Sequence, residues 1–239
     1  TAGADGIVSV TTAGSSGAWD SVSAHKPAIL KIGDTWHLWY EGNDGVTKRL
    51  GHATASDLGG PWAKDAGNPI LSPSGSQEDL NYMAPSIYEE GGLYYLFYAA
   101  QDSVDFRWRI FAATSADGIA WAKEGMIADV AATGFDSGWI APGSVQKVGP
   151  LYVMVYNAGS SQPAGSLQES DPSGMGLLWA VDPLGPWTRS NANPILKTNR
   201  RRSYAHDIWR GHLFRVGDYW RLLLNAGDYG VEIGPDNEG

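Results

Sequence analysis

The chain has 239 residues, of which 43% are hydrophobic and 11% aromatic, with 31 glycines and no cysteine. That is enough apolar matter for one sizeable core, and it excludes disulfides and thiolate metal centres. A formal net charge of −9 argues against a nucleic-acid partner, and no apolar run approaches the roughly 18–20 residues of a membrane-spanning helix.

Long helix-periodic runs are missing, and short aromatic and β-branched runs between glycine-rich turns predict an all-β chain. In chain order the first clear element is "PAILKI", a Gly33 turn and "TWHLWYEG", which read as a β-hairpin. The pattern returns as "PSIYEE" and "LYYLFYAA" about Gly91, then "GSVQKV" and "LYVMVYNA" about Gly149. Its last copy is "HLFRV" and "YWRLLLNAG" about Gly217. The turn glycines are spaced by 58, 58 and 68 residues. Each hairpin is followed by a second one: "LGHATASDLGGPW", "RIFAATSADGIAW" and "GLLWAVDPLGPW". Four strands per repeat at this length predict β-propeller blades.

The approximate blades are 23–71, 72–130, 131–196 and 197–239, in a single domain. The fourth lacks its second hairpin, and "GIVSVTTAGSSGAWDS" (residues 6–21) is similar to "RIFAATSADGIAWAKE". Residues 1–22 are therefore expected to complete the last blade. A five-bladed ring, or a fragment of one, is the alternative.

The "P-[AS]-[IV]" hairpins, the "A-T-S-x-D-G-x-x-W" hairpin and "GPW…NPIL" resemble the propeller glycosidases, the superfamily of glycoside hydrolase families 43, 32, 117 and 130. The resemblance covers nearly the whole chain and implies a carbohydrate bound or hydrolysed in an axial pocket. It also implies five blades, acidic residues at the starts of the innermost strands, and a central cation such as Ca²⁺ beside a histidine. Hydrolysis requires two carboxyl groups about 5–5.5 Å or about 6.5–9.5 Å apart. At the positions where family 43 carries Asp in the first two blades, this chain has Lys26 in "HKP" and Ser86 in "APS". The third blade's "APGS" likewise offers no acid.

Loops entering the first strand and leaving the second strand of each blade share one face. Asp20 and Asp136 belong to a repeated aromatic-Asp-Ser, for which turn capping is the plainer role. As catalytic candidates the face offers Asp207, Glu41 and Glu78, each with a solvated or capping charge as its structural alternative. As sugar-binding candidates it offers Lys26, His25, Trp139, Tyr82, Arg202, His206 and Trp209. Arg202 closes an arginine triplet suited to carboxylates or sulfates, and aromatic faces suit sugar rings. His25, His206 and His52 are the histidines open to a metal reading. The sequence thus supports a glycosidase-like propeller with a carbohydrate ligand, anionic sugars included. A non-catalytic binding or surface-recognition propeller is the alternative. The expected setting is extracellular or periplasmic, or else the surface of a virion.

Overall fold

Each repeat opens on two strands joined across a two-residue turn, and the glycine that begins each turn has positive φ. The values are 59° at Gly33, 64° at Gly91, 60° at Gly149 and 59° at Gly217. Tight hairpins demand this backbone, and glycine adopts it without a steric penalty. In the computed structural model, which describes residues 12–160, 174–197 and 207–227, every predicted first hairpin forms.

The first blade is the antiparallel sheet β1 (Ser23–Ile32), β2 (Thr35–Asn43), β3 (Lys48–Ala55) and β4 (Ala63–Lys64). The second is β5 (Asn81–Glu90), β6 (Leu93–Gln101), β7 (Trp108–Ser115) and β8 (Ala122–Ala128). The third is β9 (Trp139–Val148), β10 (Leu151–Gly159), β11 (Gly174–Ala180) and β12 (Thr188–Arg189), with β13 (Leu196–Lys197) also on β11. The fourth is the hairpin β14 (Asp207–Val216) and β15 (Tyr219–Gly227). No described residue is helical, so no helix is long and apolar enough to cross a membrane.

The innermost strands pack in series, β1 on β5, β5 on β9 and β9 on β14. Among the described residues no such lateral packing joins β14 to β1. Layers of large side chains fill the wedges between sheets. Trp39, Leu50, Tyr82, Leu96, Tyr98 and Phe111 join the first blade to the second. Phe97, Ile110, Ile140, Met154 and Leu178 join the second to the third, and Val155, Met175 and Ile208 join the third to the fourth.

The "NPIL" segments have a mechanical explanation. Asn68 Oδ1 accepts from His52 N and its Nδ2 donates to His52 O, both at 2.8 Å. Asn193 does the same to Leu177, at 2.7 and 3.0 Å. Each amide stands in for a strand residue and gives the third strand a partner beyond its short fourth strand. Both asparagines precede cis prolines.

The amino-terminal reading needs correction. Residues 12–22 form turns, not strands, and they lie against the first blade. Lys64 Nζ donates to Thr12 O at 2.7 Å, and the Trp19 ring covers Gly42 and Gly51 so closely that a Cβ on either would meet it within 2.5 Å. Trp19 occupies the place in its repeat that Phe135 has in the third: each ring packs on a tyrosine, Tyr40 or Tyr156. Residues 1–11, on which closure of the last blade would rest, lie outside the described residues.

Candidate functional site

The strand registers bring the start of each inner strand against the end of its neighbour. Ser23 pairs with Asn43, Asn81 with Gln101, Trp139 with Gly159 and Asp207 with Gly227. The first residue of each inner strand thus lies beside the last residue of its hairpin partner. The inner strands line an open cavity of about 480 Å³, bordered by Pro27–Leu30, Pro85–Ile87, Gly143–Gln146 and Arg210–His212. No described lining residue carries a carboxylate.

At this mouth Glu41, at the end of β2, is wholly buried. His25 Nε2 lies 3.1 Å from Oε1, Lys26 Nζ 3.3 Å from Oε2 and Lys48 Nζ 3.6 Å from Oε1. Burial alone would raise the Glu41 pKa. The charge of Lys26, the close His25 ring and Lys48 outweigh it and hold the group at about 2. Glu41 is thus a fixed anion that gathers three basic side chains. Their exposed ends give the rim its character, with His25 42% and Lys26 21% exposed at the side chain.

Aromatic rings back this basic rim. Lys26 Nζ lies 5.9 Å from the centroid of Trp209, and Lys48 Nζ lies 5.5 Å from that of Trp108. Trp209 stacks on Trp139 with centroids 5.4 Å apart and planes 17° from parallel. Trp139 and Trp108 are fully buried, whereas Trp209 is only half-buried.

Three non-glycine residues at matching inner-strand positions have left-handed backbone: Lys26 (φ 52°), Ala84 (φ 53°) and Arg210 (φ 51°). Each sits at a β-bulge, where the register slips between His25 and Ala28, Met83 and Ser86, or Trp209 and His212. Such backbone is costly and concentrates at binding and catalytic sites. The third blade has Pro142 and Gly143 here, and Gly143 has a steric reason. A Cβ would lie 2.5 Å from Gly211 O and 2.8 Å from Val155 O. The close approach of β14, which the sequence does not reveal, forbids any side chain at that point.

The structure separates the remaining candidates. Glu78 belongs to the blade framework: Tyr82 Oη and Tyr98 Oη donate to its Oε2 at 2.7 and 2.9 Å, and Lys123 Nζ lies 3.5 Å from Oε1. Tyr82 is fully buried in that arrangement and presents no free face to a sugar. Trp139 is likewise enclosed, its ring nitrogen against Gly159. His52 lies on β3, buried with Trp39 and His37, and so is not an axial residue. His25, Lys26, Glu41 and Trp209 do come together. Arg202 and His206 lie outside the described residues; Asp207 begins β14, and its side chain is not described. Lys48 and Arg210 are the members of the site that sequence reasoning missed or left unassigned. The signal for Arg210 was its place one residue before a glycine in the fourth hairpin, parallel to Lys26 before Pro27.

No protein-family model matches the sequence, and no curated protein matches it either. Solved structures do match in fold. A thermostable family-43 glycoside hydrolase superposes with a TM-score of 0.67 at 18% identity, over 85% of this chain and 66% of its own. An α-L-arabinofuranosidase from Lactobacillus brevis gives 0.70 at 14%, over 93% and 71%. The β-1,2-mannobiose phosphorylase of Listeria innocua gives 0.67 at 16%, over 88% and 56%. This chain spans about two thirds of the length of the structures it matches. Three sheets side by side, the fourth hairpin beside them and these superpositions lead to one conclusion: the chain has a β-propeller fold like that of these structures.

Proposed function

We propose that this propeller binds an anionic carbohydrate at its axial mouth and does not hydrolyse it. One observation carries the reading: the described residues lining the cavity include Ser86, Gly143 and Arg210 and no acid, and Lys26 stands one residue before that lining in the first blade. Glycoside hydrolysis needs a proton donor and a second carboxyl on opposite sides of the scissile bond. Glu41 cannot act as that donor near neutral pH, because its cations keep it ionised. What the mouth offers is positive charge from Lys26 and Lys48, with the His25 imidazole and the Trp209 ring beside it. That combination suits a sugar ring bearing a carboxylate or sulfate, the ring stacked and the anion met by ammonium groups. Such a ligand would be met outside the cytoplasm, or by a virion at a cell surface.

Calorimetric titration of the full chain with oligogalacturonate, a sulfated oligosaccharide and neutral xylo- and arabino-oligosaccharides tests the reading. Anionic oligosaccharides are expected to bind, more weakly at high salt, and Lys26→Met to weaken them about tenfold, a loss of about 1.4 kcal/mol. The carboxylate and sulfate arms distinguish the two anions. No binding of either anion would overturn the proposal. So would steady hydrolysis of aryl glycosides that disappears in Asp207→Asn or Glu41→Gln, which would restore the glycosidase reading.

A further inference from the structure

A β-bulge frees backbone carbonyls from the strand ladder, and a freed carbonyl in a crowded place needs another donor or a cation. The bulges of β1 and β5 leave three such carbonyls near the axis, and one side chain meets all of them. Arg210 Nη1 donates to Lys26 O at 3.1 Å, and Nη2 donates to Pro27 O at 3.2 Å and Pro85 O at 3.0 Å. The arginine reaches these carbonyls from β14, the strand that has no lateral packing with β1.

Its own bulge is braced from the third blade. Asn157 Oδ1 accepts from Arg210 N at 2.8 Å, and Asn157 Nδ2 donates to Ile208 O at 2.8 Å. Ser144 Oγ accepts from Leu213 N at 2.6 Å further along the strand. Asn157 occupies in β10 the position that Glu41 has in β2. The same point of the repeat therefore holds a cation cluster in one blade and positions a cation in another.

We infer that the Arg210 guanidinium is the resident axial cation of this propeller, standing where a metal ion would be expected from the family likeness. The residues do not fit a metal. Calcium takes six to eight oxygen ligands, carboxylates prominent among them. Here three axial carbonyls are already engaged by the guanidinium, and no described lining residue is an acid. No group of three or more His, Asp or Glu able to hold a metal occurs among the described residues. Burial lowers the Arg210 pKa to about 10 and Glu41 opposes that, so the group stays charged at neutral pH. An ion added beside Arg210 and Lys26 would meet repulsion. The inference is independent of the sugar reading, since it concerns how β14 is tied to the first two blades.

Thermal unfolding of the full chain tests it, in EDTA and in millimolar calcium chloride. The wild-type melting temperature is expected to be the same in both. Arg210→Met is expected to melt about 5 °C or more lower, with Arg210→Lys in between because one ammonium cannot serve three carbonyls. A wild-type protein destabilised by EDTA and restored by calcium would overturn the inference, even if no variant folds. An Arg210→Met variant as stable as wild type would overturn it equally.

Discussion

Glu41 carries its charge with no exposed surface, and three basic groups keep it there. Its pKa of about 2 lies below the ordinary value of 4.5, so the folded state binds its proton more weakly than the unfolded chain. The stabilisation, about 3 kcal/mol by linkage, is complete above roughly pH 4.5 and is lost as the pH falls towards 2. Glu41→Gln should therefore destabilise the protein at neutral pH by a similar amount. It should also flatten the loss of stability between pH 4.5 and 2, as measured by urea denaturation across that range. Gly143 makes a different residue-scale case. An added Cβ would press on two backbone oxygens, which cannot rotate away as a side chain could. Gly143→Ala is expected to cost about 2 kcal/mol in the same measurement, whereas an unchanged midpoint would mean that β14 can shift outward.

The repeated element carries its own electrostatic device. A carboxylate entering each of the first three blades accepts a hydrogen bond from a tyrosine twenty residues on: Asp20 from Tyr40, Glu78 from Tyr98 and Asp136 from Tyr156. A cation near the outer strand completes each set: Lys64 Nζ is 2.5 Å from Asp20, Lys123 Nζ 3.5 Å from Glu78 and Arg189 Nε 2.6 Å from Asp136. Burial, reinforced by the neighbouring carboxylate, pushes all three tyrosines above their usual range, so they remain donors. Tyr98→Phe removes one hydrogen bond to a charged acceptor and should cost about 2 kcal/mol by chemical denaturation; no change would show that Tyr82 and Lys123 suffice. The first blade adds a second polar chain, with His37 Nδ1 3.0 Å from His52 Nε2 and His52 Nδ1 3.4 Å from Asp65. Burial lowers both histidine pKa values, against the pull of Asp65 and Asp117 on His52 and with mutual repulsion adding at His37. Both are then neutral at pH 7, and their contribution is present above about pH 6.5 and lost as the pH falls further. A His37→Gln, His52→Gln double variant should lose that acid dependence in thermal melts between pH 7 and 5.

For the whole molecule, the fold was legible because a propeller is written as a repeat. The 58-residue spacing of the turn glycines sets blade after blade, and the fixed offset of twenty from carboxylate to tyrosine runs through three of them. The cations were not legible, because loops of different length intervene: Lys64 follows Asp20 by 44 residues and Arg189 follows Asp136 by 53. The aromatic-Asp-Ser motif was read as turn chemistry, while its partner across the sheet stayed hidden. At the mouth, Lys26 and Glu41 could be nominated from their places at strand ends, yet their ion pair depends on strand register. Arg210 could not be assigned, since Lys26 lies 184 residues away.

The sequence alone determined the strand pattern, the turns, the blade repeat and the scarcity of acids at the starts of the inner strands. These follow from local backbone preference and hydrophobic alternation, which act over a few residues. Only the tertiary structure decided which charges meet. It made Glu41 a buried counterion to His25, Lys26 and Lys48, and Glu78 a bracket between Tyr82 and Tyr98. It also carried Arg210 to the carbonyls of two distant blades. A side chain's chemistry is set by the dielectric and the charges around it, and where blades pack side by side those neighbours come from other repeats.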